Sequence, residues 1–213
     1  QRLVEERDEL EARLLIWSGS ALFALEREHL PRMKRPWEDH PRIRLAWAED
    51  TPTLASHHQK FVVIDDCVVF AGGMDLTKSR WDSHEHRVQD RRRRKPGLVP
   101  LRSNPYHDTM VVYEGDIAVE LGDLARARWE RATAERIEPC PPTDGPAPWP
   151  EGVEPMLEDR AVYLAITRPD HGGLDEVRDV ESAFIEQFRS ARRLISVETQ
   201  YLSASRLVGV LSE

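Results

Sequence analysis

Between residues 139 and 160 the chain places seven prolines and two glycines: Pro139, Pro141, Pro142, Pro146, Pro148, Pro150, Pro155, Gly145 and Gly152. Each proline fixes φ and removes a backbone donor, so neither a helix interior nor a central strand can cross this stretch. The chain therefore has to fold as separate units on either side. This predicts a first unit over 1–138, a linker over 139–160 and the beginning of a second unit over 161–213. With 213 residues, 40% of them hydrophobic and six of them Trp, there is apolar material for at least one independent core. No apolar run approaches the ~20 residues of a bilayer span, and the charged segment Gln1 to Arg13 lacks a signal peptide's apolar centre. The expected location is the cytoplasm or the periphery of a membrane. Cys67 and Cys140 form no C-x-x-C spacing, which argues against a thiolate zinc site or a disulfide framework. A net charge of −8 disfavours non-specific binding to nucleic acid.

Within the first unit the pattern predicts a helix from Val4 to Leu14, a strand over Leu14–Trp17, and a second helix through Leu25. A half-buried strand is expected at Ile43–Trp47, from its apolar/polar alternation. Phe61–Ile64 and Val68–Ala71 are continuous apolar runs around Asp65-Asp66, as expected for neighbouring strands buried on both faces. Residues 82–104 are polar and contain Arg91-Arg92-Arg93-Arg94-Lys95, a solvated surface loop whose functional reading is contact with anionic lipid headgroups. A strand over Thr109–Tyr113 and a helix over Ile117–Ala134, with Leu121, Leu124, Ala125 and Trp129 on one face, complete the unit. Beyond the linker the expectation is strand Val162–Thr167, a helix bearing Val180, Phe184, Phe188 and Ala191, strand Leu194–Glu198 and a helix starting at Ser205.

One segment carries chemistry. His58 and Lys60 lead into an apolar strand, Asp65 follows after four residues, and Gly72-Gly73-Met74-Asp75 after six more. Period-2 alternation sets His58 and Lys60 on one face, about 7 Å apart, and His57 on the other. An imidazole beside an ammonium suits a phosphate: the lysine attracts anionic oxygens and disfavours the imidazolium, leaving a neutral nucleophile or base. The glycines allow close approach of a neighbour or ligand and bring Asp75 to the same strand ends. His84 and His86 lack an evident third metal ligand, and neither a G-x-S-x-G elbow nor a Walker loop is present.

The string His58, Lys60, Asp65, Gly72, Gly73 resembles the H-x-K-x4-D-x6-G-G mark of the phospholipase D superfamily. The likeness continues through Gly73-Met74-Asp75-Leu76, Arg80-Trp81-Asp82 and Glu85-His86-Arg87, which look like strings of the eukaryotic-like, lipid-cleaving branch. Pro105-Tyr106-His107-Asp108 looks like that branch's P-W-H-D box with Tyr for Trp, and Val197-Glu198-Thr199-Gln200-Tyr201-Leu202 resembles the box that opens its second lobe. The resemblance implies an α/β protein, an α-β-α sandwich with a mixed sheet in each of two lobes, with the second lobe truncated here.

By the same resemblance, His58 is the nucleophile that forms a phosphohistidine, Lys60 holds phosphate oxygens, and Asp65 ties down the turn and local network. Asp108 orients the imidazole, with Asp90 as the alternative, while Asp75, Gly73 and Gln200 rim the phosphate. No metal or other cofactor is expected. The implied substrate is a glycerophospholipid at a membrane surface, no specific nucleic acid is expected as a partner, and the missing second lobe of the same polypeptide supplies the other imidazole. Because these residues hold a single H-x-K pair, the fragment alone is expected to be inactive. The alternatives are a nuclease-like or other phosphodiesterase of the superfamily acting as a single-motif homodimer, and a non-catalytic membrane-binding fragment.

Overall fold

The two apolar runs around Asp65-Asp66 fold back on each other as strands β3 (Lys60–Ile64) and β4 (Val68–Gly72), paired antiparallel. The turn closes with the Cys67 amide donating to the Ile64 carbonyl at 2.9 Å. Asp65 and Asp66 take φ of 50° and 52° there, a left-handed conformation that Asp tolerates better than most side chains. Strands β1 (Ala12–Trp17) and β2 (Ile43–Ala48) precede them and β5 (Met110–Glu114) follows, antiparallel to β4. The computed structural model describes residues 1–18, 39–52, 55–77, 80–93, 104–142, 145–199 and 201–212. The chain divides by its internal contacts into Gln1–Glu158 and Asp159–Glu213.

Cross-strand partners share a face, so the register sets Phe61, Val63, Val69 and Tyr113 together on one side of the β3-β4-β5 sheet. That side packs on Ile117, Ala118 and Leu121 of the long helix Asp116–Thr133, and Val69 and Ala118 are wholly buried. The helix also lies against β2. It is α2, because a short helix α1 (Arg2–Glu6) opens the chain. Within α2, Gly122 has a steric reason: a Cβ there would lie 2.2 Å from Asp66 Oδ1. The Arg126 guanidinium donates to both Asp66 oxygens at 2.9 and 2.7 Å, and the Cys140 amide donates to Oδ2 at 2.9 Å. One turn aspartate thus ties the hairpin to α2 and to the start of the proline-rich stretch.

The N-terminal helix is shorter than the charge pattern suggests. Residues Ala12–Trp17 pair in parallel with Ile43–Ala48, and the Arg42 guanidinium takes the Arg7 and Leu10 carbonyls, so the chain leaves the helix early to satisfy a strand. The helix expected through Leu25 lies outside the described residues. Parallel and antiparallel pairings both occur, as in a mixed sheet, but among the described residues they belong to separate sheets, β1-β2 and β3-β4-β5. Side-chain packing on α2, rather than a shared backbone ladder, joins the two. The result is a mixed α/β fold with several sheets.

None of the described residues from Glu135 to Ile166 belongs to a helix or strand, as the prolines require. In the second unit, β6 (Thr167–Arg168) and β7 (Val177–Arg178) form a short hairpin. Gly172 and Gly173 turn its connection at φ of 62° and 79°. Helix α3 (Asp179–Ser190) and α4 (Ser205–Val210) follow. The expected strands Val162–Thr167 and Leu194–Glu198 do not form as read. Only Thr167 is paired, and Leu194–Glu198 has no β-partner among the described residues. An apolar run becomes a strand only where another edge receives its backbone donors and acceptors.

Candidate active site

The register explains what the motif spacing achieves. Lys60 pairs with Gly72, and Gly72 with Met110, so the segments holding His58, Asp75 and Asp108 all leave the same end of the three-stranded sheet. Asp65 sits in the turn at the opposite end, about 16 Å away at 3.3 Å per strand residue. Its place in the motif is that of a turn residue.

At the gathered end the Lys60 ammonium lies 3.3 Å from Asp75 Oδ1 and donates to the His58 carbonyl at 2.9 Å. The ladder begins at Lys60, so His58 lies just outside the strand, yet the alternation continues through it. His57 and Gln59 both meet Arg128 of α2, which leaves His58 and Lys60 on the face away from the helix. The His58 side chain is exposed and has no hydrogen-bond partner among the described residues.

Gly72 and Gly73 make room for the start of β5. A Cβ on Gly72 would meet the Thr109 carbonyl at 2.2 Å, and one on Gly73 would meet Asp108 Oδ1 at 2.3 Å. The Gly73 amide donates to the Thr109 carbonyl at 3.2 Å. Asp108 accepts from the Tyr106 hydroxyl at 2.9 Å and from the Thr109 amide at 2.8 Å. Burial and this bond to Asp108 raise the Tyr106 phenol above its ordinary range. Tyr106 also stacks under the Arg80 guanidinium, 4.6 Å from ring centroid to Cζ, and Arg80 Nε stands 3.8 Å from Asp75 Oδ2. A cleft of about 250 Å³ opens beside these groups, lined in part by Met74, Arg80, Tyr106 and Asp108.

Asp90 is elsewhere engaged. It is buried and accepts from Arg92 through the backbone amide at 2.8 Å and the guanidinium at 2.7 to 3.2 Å, which outweigh burial and hold its carboxyl well below the usual range. The arginine run is not a uniformly solvated loop. Arg93 is 1% exposed and donates to Asp82 at 2.8 Å and to the Arg87 and Val88 carbonyls, while Arg92 stacks on Trp81 at 4.8 Å. A buried acceptor 11 residues away captured a cation that composition alone assigns to solvent. Arg94, Lys95 and Gln200 lie outside the described residues. Asp82 also takes the Tyr106 and Ser83 amides and faces His86 Nδ1 at 3.2 Å. Burial alone would raise its carboxyl, but these donors and Arg93 hold it at about 2.

A second imidazole, which the alternation set on the opposite face, has partners that the sequence did not show. His57 Nε2 is 3.0 Å from Asp50 Oδ1, and Arg128 donates to Nδ1. Since arginine can only donate, the ring is neutral with its proton on Nε2. Burial, and then the Arg128 charge, lower its pKa against the pull of Asp50. The alternation does aim His57 and Gln59 at the helix that packs Phe61 and Val63; the partners Asp50 and Arg128 lie too far along the chain for any local pattern to name them. Arg80 stood in the sequence only within Arg80-Trp81-Asp82, with no spacing rule to mark it.

No family model matches the chain. Human phospholipase D1 is 46% identical over 55 residues, 24% of this chain and 5% of that protein. Phospholipase D zeta 1 of Arabidopsis thaliana is 51% identical over 37 residues, 17% of this chain and 3% of that protein. Cardiolipin synthase A of Erwinia tasmaniensis is 24% identical over 148 residues, 70% of this chain and 26% of that protein. The matched stretches are thus a small part of each relative's length. Short, high-identity matches to phospholipases D and a long, weaker one to a cardiolipin synthase converge with the motif and indicate the phospholipase D superfamily, at modest coverage.

Proposed function

We propose that this chain provides the phosphate-attacking half of a phospholipase D-type phosphodiesterase acting on glycerophospholipids. The observation that carries this reading is the gathering of His58, Lys60, Asp75 and Asp108 at one sheet end, through the Lys60–Gly72–Met110 register. The His58 imidazole attacks phosphorus, a nitrogen–phosphorus bond forms, and the bond to the headgroup oxygen breaks. A second imidazole protonates that leaving oxygen, then takes a proton from water, whose oxygen displaces His58 and releases the phosphatidate. Lys60 stabilises the charge that builds on the non-bridging oxygens. Asp108 belongs to the orienting shell of the site, held ready by Tyr106.

Residues 1–213 contain one H-x-K pair, so the second imidazole is assigned to a second lobe of the same polypeptide. On this reading the 213 residues alone turn over no phospholipid, and the polypeptide with both pairs does. The test is hydrolysis of a short-chain phosphatidylcholine by that polypeptide, together with trapping of an acid-labile, base-stable phosphoryl-enzyme. His58→Ala should abolish both. Labelling that survives His58→Ala would move the nucleophile elsewhere. The name of one relative whose match spans 70% of the chain, a cardiolipin synthase, favours a second reading in which an alcohol replaces water as acceptor. Partition of product between phosphatidate and phosphatidylalcohol in the presence of glycerol decides between them.

A further inference from the structure

The reading above gives the phosphate one cation, Lys60. We infer that Arg80 is a second phosphate-binding cation of the same site, and that the Asp75 carboxylate holds the place of the phosphate between them; this rests on the phosphodiesterase reading. Arg80 Nε is buried and donates to no acceptor among the described residues. An orphaned buried N–H is rare in a folded protein and calls for an explanation. This one belongs to a side chain on the wall of the cleft.

The two oxygens of Asp75 face different cations. Oδ1 is 3.3 Å from Lys60 Nζ, while Oδ2 is 3.8 Å from Arg80 Nε, close enough for an ion pair but too long for a hydrogen bond. A phosphate has more oxygens than a carboxylate and takes arginine's parallel N–H groups bidentately. Placed between the same cations, it satisfies the donor that Asp75 leaves unmet. The guanidinium plane is already fixed, because it stacks on Tyr106, whose hydroxyl is held by Asp108. A lysine at position 80 would reproduce the charge but neither the fork nor the stack. Asp75 then acts as an internal competitor that phosphate must displace from both cations.

The test is calorimetric titration of the full chain with inorganic phosphate and, separately, with dihexanoyl phosphatidylcholine below its micellar concentration. Arg80→Gln should weaken binding on both arms by about tenfold, and Arg80→Lys nearly as much. Asp75→Asn should tighten inorganic phosphate severalfold in wild type and less in the Arg80→Gln background, a coupling that a merely structural role would not produce. Loss on both arms assigns Arg80 to the shared phosphate oxygens. Loss on the inorganic phosphate arm alone assigns it to free phosphate. Unchanged phosphate affinity in a folded Arg80→Gln variant overturns the inference, as does weaker binding in Asp75→Asn, a variant that keeps the question open to refutation should Arg80→Gln fail to fold. Arg80-dependent phosphate binding in a two-lobed polypeptide that hydrolyses no phosphodiester would leave this inference standing and remove the enzymatic reading.

Discussion

Replacing Gly73 by Ala puts a methyl group into the space of the Asp108 carboxylate. The new Cβ would lie 2.3 Å from Oδ1, 2.8 Å from Oδ2 and 2.9 Å from Cγ, none of them a distance that non-bonded atoms sustain. The position does not have a positive φ, so alanine's backbone preference adds nothing and the effect is purely one of space. The carboxylate must move, and moving breaks its bonds from the Tyr106 hydroxyl at 2.9 Å and the Thr109 amide at 2.8 Å. Hydrogen bonds to a charged acceptor contribute about 1.5–3 kcal/mol each, less where water can replace them. Asp108 is half-buried, so a net loss of about 1–3 kcal/mol is expected from the pair. At ~2–4 °C per kcal/mol for a unit of this size, the melting temperature should fall by roughly 3–10 °C. The decisive assay is a double-mutant cycle by urea unfolding. In an Asp108→Ala background the clash is gone, so Gly73→Ala should cost under about 0.5 kcal/mol there, a coupling of at least about 1 kcal/mol. Equal costs in both backgrounds would refute the idea that this glycine exists to admit the carboxylate.

Asp66→Ala should destabilise the first unit by about 1–2 kcal/mol in denaturant unfolding, because it removes two bonds from the largely buried Arg126 guanidinium, which keeps Asp123, and the acceptor of the Cys140 amide; Asp65→Ala, without those bonds, should cost much less. Asp82 titrates at about 2 in the folded chain, below its ordinary 3.8. Its contribution is therefore complete above pH 3.8 and lost as pH falls toward 2, and Asp82→Asn should flatten the stability curve in that window. The His57 pKa is likewise lowered from 6.5, so the folded state favours the neutral ring. That contribution is present above pH 6.5 and lost as pH drops below it, and a His57→Gln variant followed by thermal unfolding between pH 7 and 5 should lose that slope.

The parts legible in the sequence are those decided by local chemistry. The hairpin followed from two apolar runs around a pair of aspartates, and α2 followed from the spacing of Leu121 and Trp129, both buried in the structure. The shared sheet end of His58, Lys60 and Asp75 followed from motif spacing, since a strand of known pitch and a short turn fix where six further residues return. What could not be read depends on partners distant in sequence. Arg93 is 11 residues from Asp82 and His57 is 71 from Arg128. A charged side chain reads the same whether solvent or a buried acceptor receives it. The expected strand Leu194–Glu198 failed for the related reason that β-structure is a property of pairs.

Two adjacent imidazoles show how the strand separates structure from chemistry. His57 faces α2, where Arg128 demands an acceptor and Asp50 an N–H donor, and the neutral ring supplies both. His58 faces the other way, unpartnered among the described residues, on the side where Lys60 meets Asp75. A one-residue slip of β3 would exchange the two faces. It would drive Lys60 toward the Arg128 guanidinium and turn Phe61 and Val63 out of the core they share with Val69 and Leu121. Like charges brought together and lost apolar burial both oppose that slip. The apolar residues that fold the sheet therefore also determine which of the two histidines stands on the open face beside Lys60.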